Sequence, residues 1–328
     1  MTELVKAERT ITVATSRSGT EPLALVELPQ KPVRARDVRV VVKVVGVNPV
    51  DWKMRSGGPL RFAHRFVGPS GPLVVGVDFA GEVVEVGPEA DLKVGARVVG
   101  ATDFSRGQLG SYATEVVVRA EQCAVLPDEV SYEDAACLPV PGATAMRAFE
   151  VAHFERLDPK AVRMLVLGAS GGVGLVTIQL AKAMGAKAVG VCSTRNVALV
   201  EKLGAIAVDY TKGDALAAAA EHGPYDLVLH AMGTEVYSLG ACRAMLTPRG
   251  VDALAVVRPA DVPSMLFRSS VASVLGRPNR KNLEPLVAAL ARGDVKPLIE
   301  ATFPLAEAEK AHEISKAGKV VGKLLLIP

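Results

Sequence analysis

Apolar positions along the chain change their rhythm near residue 128. Before that point, short β-branched runs ("DVRVVVKVVGV", "LVVGVDFAGEVVEVG", "ARVVGA", "YATEVVV") are separated by Gly and Pro. Strands at that spacing predict a compact β-barrel-like unit. After "LPDEVSYEDAACLP" the apolar runs "VRMLVLG", "AKAVGVC", "AIAVDY", "YDLVLHA", "GVDALAVV" and "SSVASVL" have helical segments between most of them. That alternation predicts a parallel sheet covered on both faces, so the fold class is α/β. The tail predicts a helix around "NLEPLVAALARGD", the segment "EATFPL", another helix and a closing strand "GKLLLIP". The alanine-rich "ALAAAAE" reads as a helix.

Within this pattern Met164–Ala181 is uncharged for roughly the length of a membrane span. Its Gly168, Gly171, Gly172 and Gly174 divide it into strand, turn and helix, so no membrane span is expected. A chain of 328 residues fits two domains. Lys and Arg total 38 against 35 Asp and Glu, spread along the chain, which argues against a dedicated nucleic-acid binder. Cys123, Cys137, Cys192 and Cys242 form no CxxC pair and read as reduced thiols of a cytoplasmic protein. The opening "MTELVKAERTITVATSRS" lacks the apolar core of a secretory signal.

In "VLGASGGVGLVTIQLAKAMGA" an apolar strand runs straight into glycines and then a helix. The pattern Ala169-x-Gly171-Gly172-x-Gly174 is a GxGxxG variant with Ala169 at the first position. Gly171 lets backbone N–H groups approach a pyrophosphate, and Gly174 lets helix and strand pack closely. The expected phosphate-binding residues are therefore Ser170, Gly171, Gly172, Val173 and Gly174, at a helix N-terminus that favours anions. A tight turn without a ligand would use the same glycines. The second strand ends in "CSTRN" where NAD-binding chains often carry an acid for the ribose hydroxyls. Ser193, Thr194, Arg195 and Asn196 instead suit a 2′-phosphate, because hydroxyls donate and a guanidinium binds phosphate bidentately. Tyr210, ending "AIAVDY", would cover the adenine or donate to the same phosphate. NADPH is the expected cofactor. The bland alternative makes Ser193 a helix cap and Arg195 a solvated side chain.

"GVNPVDWK" (Gly46–Lys53), "GVDFAGEVVEVG", "GASGGVG", "CSTRN", "VDY" and the closing "GKLLL" occur in an order that resembles the medium-chain dehydrogenase/reductase superfamily. They resemble its zinc-independent branch, the quinone oxidoreductase and enone (2-alkenal) reductase group. The resemblance covers nearly the whole chain. It implies a GroES-like β-barrel catalytic domain, residues 1–128 and 277–328, and a Rossmann doubly wound parallel sheet, residues 129–276, with a site in the cleft between them. It also implies a homodimer through edge strands of the two Rossmann sheets. Zinc-dependent relatives carry a Cys where this chain has Asn48, and His-Glu where it has Val77-Asp78. A catalytic zinc needs about three converging ligands, so no metal is expected.

Hydride transfer without a Lewis acid suits acceptors that are already electrophilic, namely conjugated enones, enals and quinones. The resemblance makes Lys53 the residue that contacts both cofactor and substrate and attracts the developing enolate. Asn48 would line the nicotinamide pocket, and Asp51 would orient Lys53. Capping explains the first two equally well: Asn48-Pro49 is a good N-cap and N1 pair, Asp51 falls at N3, and Gly57 is a natural stop. Thr144 matches a position near the nicotinamide, or is a buried helix hydroxyl. Met232 and Gly233 in "HAMG" match backbone that passes the nicotinamide ribose, while His230 reads as a packed strand-end imidazole. Gly322 and Lys323 match a tail segment that reaches the cofactor; Lys323 otherwise reads as solvated. Arg61, His64 and Arg65 would favour an anionic acceptor or face solvent. Two rival readings stand beside this one. An enoyl-thioester reductase would need a basic groove, for which "RPNRK" (Arg277–Lys281) is the candidate. An NADPH-binding protein without turnover would keep the fold and lose the chemistry.

Overall fold

The computed structural model describes residues 10–16, 21–56 and 71–328. Gly57, Arg61, His64 and Arg65 lie outside the described residues.

Strands β1 (Thr10–Ser16), β2 (Ala24–Pro29) and β4 (Leu73–Val74) form a small antiparallel sheet in the order β2-β1-β4. A seven-stranded sheet contains β3 (Asp37–Val47), β5 (Asp78–Val86), β6 (Arg97–Ala101), β7 (Glu115–Arg119) and β8 (Cys123–Val125). The tail strands β15 (Ile299–Pro304) and β16 (Lys323–Ile327) complete it, in the order β15-β16-β3-β5-β6-β8, with β7 paired to β3. The run "DVRVVVKVVGV" is buried along almost its whole length because β3 has β5, β7 and β16 as neighbours. Its apolar side chains join Phe79, Tyr112 and Leu326 in one core. The pairing of β16 with β3 places Leu324 opposite Val47 and so carries Lys323 to the start of the "NPVDWK" motif.

The second half folds as a separate sheet. Strands β9 (Arg163–Leu167), β10 (Lys187–Cys192), β11 (Ile206–Asp209), β12 (Tyr225–His230), β13 (Leu246–Leu254) and β14 (Val271–Ser273) pair in parallel in the order β11-β10-β9-β12-β13-β14. This is the doubly wound order, whose strand direction of travel switches between β9 and β12. Two apolar clusters lie on its two faces, one around Met164, Val166 and Leu229, the other around Leu165, Leu167 and Val228. Alternate residues of the same strands feed opposite clusters, as the pleat requires.

The helices that matter to the site are α1 (Pro49–Arg55), α2 (Pro139–Val151), α3 (Gly172–Met184), α4 (Arg280–Ala291) and α5 (Ala308–Lys316). The uncharged window is thus strand β9, a glycine turn and α3. Among the described residues no helix is long and apolar enough to cross a membrane. In "RPNRK", Arg280 opens α4 and is held by Asp91 and by the carbonyls of Ala120 and Cys123. That guanidinium ties the helix to the barrel and is not offered to a ligand.

Candidate active site

The glycine turn sits at the switch point between β9 and β12. Gly168 supplies the positive φ of the turn at +90°, one residue before the position expected from the motif. Gly171 is the N-cap of α3, and the helix starts at Gly172, so the N–H groups of Gly172, Val173 and Gly174 lie in its unsatisfied first turn. A Cβ built on Gly174 would stand 2.4 Å from the Gly168 carbonyl oxygen and 2.7 Å from that of Ala169, so glycine is required for this helix–strand contact. A Cβ on Gly171 meets only the Gly168 oxygen, at 3.6 Å. The backbone there faces open space, which fits an approaching phosphate. Met232, about half exposed, packs over Gly168 from the end of β12, and Gly233 follows at φ +93°. On the other side Gly322 pairs with Gly171, and its N–H donates to the Ser170 carbonyl at 2.9 Å. The tail therefore reaches the turn through backbone.

At the end of the second strand of the parallel sheet, Ser193, Thr194, Arg195 and Asn196 form one short turn after β10. Asn196 is buried, and its Nδ2 donates to Ser170 Oγ at 2.9 Å and Ser193 Oγ at 3.3 Å. Arg195 is exposed; one of its donors binds the Lys319 carbonyl, and the others are uncommitted among the described residues. The Ser193 side chain makes no cap hydrogen bond, contrary to the capping alternative. Thr194 Oγ1 lies 2.6 Å from Thr211 Oγ1, and Tyr210 is half exposed beside them. Sequence reasoning missed Asp209 here. Thr211 donates to it through both N–H and hydroxyl, at 2.9 and 2.7 Å. Burial raises the Asp209 carboxyl, but hydrogen bonds from Thr194 and Thr211 outweigh it and leave its pKa below the ordinary value.

The "NPVDWK" motif behaves only partly as a cap. Asn48 occupies the N-cap position of α1, and the Asp51 carboxylate accepts the Asn48 N–H at 2.7 Å. The Asn48 side chain turns away from the helix. Its Nδ2 donates to Asp78 Oδ2 at 2.8 Å, and its Oδ1 accepts from Lys323 Nζ at 2.8 Å. Lys323 also donates to the Val47 carbonyl at 2.9 Å and to Asp78 at 3.2 Å. Its three donors are used, and it is 5% exposed, so it is not the solvated side chain of the bland reading. It is not a free ligand for a coenzyme either, because only its aliphatic stem runs along Gly172. Burial raises the Asp78 carboxyl, against the lowering effects of Lys323, Asn48 and the Val140 N–H.

One further expectation is corrected. Asp51 makes no hydrogen bond or ion pair with Lys53; it is fully buried and faces the barrel. Residues two apart on a helix point to opposite sides. The Thr144 hydroxyl donates its one proton to the Val140 carbonyl at 2.7 Å inside α2, the buried-hydroxyl arrangement. Lys53 is half-buried, 5.4 Å from the Trp52 ring centroid, and faces the loop after β12. Desolvation lowers its pKa, and the Glu235 carboxylate partly opposes this. His230 is fully buried with Nε2 3.1 Å from Asp252 Oδ1, which suits packing rather than acid catalysis. With Cys242 and Asp252 it forms a sealed cluster whose thiol burial pushes up to about 12. Burial also raises the Cys192 thiol, to about 11.

A family model described as "Alcohol dehydrogenase GroES-like domain" matches residues 34–128, and one described as "Zinc-binding dehydrogenase" matches residues 203–326. The "Chloroplast envelope quinone oxidoreductase homolog" of Arabidopsis thaliana is 31% identical over 319 residues, covering 94% of this chain and 95% of that protein. The chain belongs to the medium-chain dehydrogenase/reductase superfamily. "Trans-enoyl reductase pgmF" of Aspergillus terreus is 31% identical over 314 residues, covering 88% of this chain and 86% of that protein. The structure of Escherichia coli quinone oxidoreductase complexed with NADPH superposes with a TM-score of 0.80 at 26% identity, covering 98% of this chain and 100% of that one. This superfamily member is an NAD(P)H-dependent oxidoreductase with GroES-like and Rossmann parts.

At the positions matched to Cys and His-Glu of zinc-dependent relatives this chain has Asn48 and Val77-Asp78, and the Asn48 amide and Asp78 carboxylate are already bound to the Lys323 ammonium. One carboxylate and one amide oxygen are a poor donor set for zinc, so the residues do not fit a catalytic ion. Tyr112, His312 and Arg55, which stand behind Asp51, left no trace in the sequence pattern. Tyr112 and His312 are 200 residues apart and meet at 3.0 Å.

Proposed function

We propose that the chain is a cytoplasmic NADPH-dependent reductase of conjugated enones, enals or quinones that works without zinc. The observation that carries this reading is the Asn48–Asp78–Lys323 cluster, a fixed internal ammonium beside an open glycine turn. In this reading the N–H groups of Gly172, Val173 and Gly174 hold the pyrophosphate, and Ser193, Thr194 and Arg195 hold the 2′-phosphate. A bound nicotinamide coenzyme supplies hydride. Lys53 attracts the negative charge that develops on the acceptor oxygen, and its desolvation strengthens that attraction. Asn48, locked by Asp78 and Lys323, lines the floor, and water provides the proton. An enoyl thioester is the rival acceptor, favoured by the trans-enoyl reductase relative; the commitment of Arg280 to Asp91 takes one of the three basic residues of "RPNRK" out of the groove expected for it. The edge strand β14, unpaired on one side among the described residues, with Leu266, Phe267 and Leu275 exposed near it, supports a homodimer through the Rossmann sheets.

The test is coenzyme oxidation against a panel of enones, quinones and crotonyl thioesters, with NADPH and NADH, in wild type and Arg195→Ala. Enones or quinones should turn over with a clear NADPH preference. Arg195→Ala should reduce that preference by about 1.5–3 kcal/mol, roughly 10- to 160-fold, the worth of a charge-assisted contact. An unchanged NADPH:NADH ratio would remove Arg195 from its role, and thioester preference would favour the rival.

A further inference from the structure

Helix α1 carries Lys53 on one face, and its other face is held by a chain of hydrogen bonds in which every proton can be assigned. Asp51 and Arg55, one turn apart, are both buried on the inner face. Arg55 Nη1 lies 3.0 Å from His312 Nδ1. A guanidinium only donates, so Nδ1 is the acceptor and the neutral ring carries its hydrogen on Nε2. Nε2–H then donates to the Tyr112 oxygen at 3.0 Å, and the Tyr112 hydroxyl donates to Asp51 Oδ2 at 3.3 Å. Burial, with Arg55 alongside, pushes His312 down to about 3, so the ring stays neutral and the direction of donation does not reverse. Arg55 is anchored by Glu309 at 2.8 Å and the Glu21 carbonyl at 2.7 Å. The series ends on a carboxylate whose second oxygen, Oδ1, is buried without a partner among the described residues.

We propose that Tyr112 and His312 are positioning residues of this site: donating in series onto the Asp51 carboxylate, they clamp the inner face of α1 and so aim Lys53 into the cleft. The role of Lys53 rests on the proposed function; the clamp does not. The clamp is strongest with Asp51 ionised, because a protonated carboxyl still accepts but loses the charge that strengthens both bonds. The groups that face Asp51 are Asp78 from β5, Lys323 from β16 and Tyr112 from the segment before β7, with His312 and Arg55 behind Tyr112. Burial, opposed by the Asn48 N–H and aided by the charge of Asp78, lifts the Asp51 carboxyl to about 7, with Lys323 and Tyr112 also lowering it. The clamp therefore holds above that pH and loosens as pH falls through it. Loss of the Tyr112 hydroxyl removes a lowering hydrogen bond and moves the transition upward.

Trp52, the only tryptophan of the chain, reports on α1 directly. It neighbours Asp51, and its Nε1 donates to Ser315 Oγ on α5 at 3.1 Å. Trp52 emission of the full chain, free of coenzyme and substrate, is titrated from about pH 5.5 to 9. Wild type should show a transition near pH 7, and Asp51→Asn should show none. Tyr112→Phe and His312→Leu should move the midpoint up by about one pH unit, equivalent to roughly 1.4 kcal/mol. His312→Gln keeps one acceptor and one donor and should restore the wild-type midpoint. The acid limb of kcat/KM should follow the same midpoints, so Tyr112→Phe loses about five-fold at pH 7, as the ionised fraction of Asp51 falls from about a half to about a tenth. Flat wild-type emission, or an unmoved midpoint in Tyr112→Phe, overturns the clamp. An intact emission series in a protein that reduces no enone or quinone supports the clamp and counts against the proposed function alone.

Discussion

Lys323→Met removes a charge from the most enclosed ionic contact of the site while keeping the stem that packs along Gly172. The wild-type ammonium uses its three donors on Val47, Asn48 and Asp78, and the Lys323 and Asp78 side chains are 6% and 0% exposed. Asp78 retains hydrogen bonds from Asn48 Nδ2 at 2.8 Å and Val140 N at 3.0 Å, but it loses the one positive charge in contact with it among the described residues. Breaking a buried pair from one side costs about 3–5 kcal/mol. For a chain of this length that is roughly 5–10 °C in melting temperature, at about 2 °C per kcal/mol. The pH dependence gives the sharper test. The Asp78 pKa is already raised by burial in the fold, so the folded state keeps its proton to a higher pH than the unfolded chain does. Stability from this group therefore declines as pH rises from the ordinary carboxyl value to the raised one. Removing Lys323 lifts the upper end of that window. Thermal melts of wild type and variant at about pH 5 and pH 8 should show a deficit that is small in acid and large in mild base. A deficit that grows on acidification, or a melting temperature unchanged at pH 8, would refute the assignment of Lys323 as the counter-charge of Asp78.

Two glycine substitutions should separate folding from coenzyme binding. Gly174→Ala places a methyl against three backbone atoms at 2.4 to 2.8 Å and should lower both melting temperature and NADPH affinity. Gly171→Ala meets one atom at 3.6 Å and should melt like wild type while losing NADPH binding at least ten-fold in titration calorimetry; normal affinity there would mean that the phosphates lie elsewhere. Sedimentation velocity on Leu266→Asp/Phe267→Asp tests the dimer: these side chains are 74% and 85% exposed, and charges there should shift a dimer to monomer.

The doubly wound sheet, its helices and the glycine turn were legible in the sequence because each is written in residues close to one another. Fully apolar runs such as Met164–Leu167 mark strands covered on both faces, and Gly174 announces a helix–strand contact a few residues away. The capping pattern Asn48-Pro49-x-Asp51 likewise predicted where α1 begins. The same pattern misled about side chains. A capping sequence does not say that Asn48 will find Asp78 and Lys323, or that Asp51 will turn inward and away from Lys53.

What the chain alone determined, then, is its local conformation, its division between a barrel and a parallel sheet, and the glycine turn. What only the tertiary structure decided is the charge network of the site. Lys323 and Asn48 are 275 residues apart, and they meet because β16 pairs antiparallel with β3 in one register. A shift of that register by one residue would send Lys323 to the other face of the sheet. Periodicity reports which face of an element is apolar; the partner of a buried polar group depends on which strands lie side by side, and that is set by packing across the whole fold.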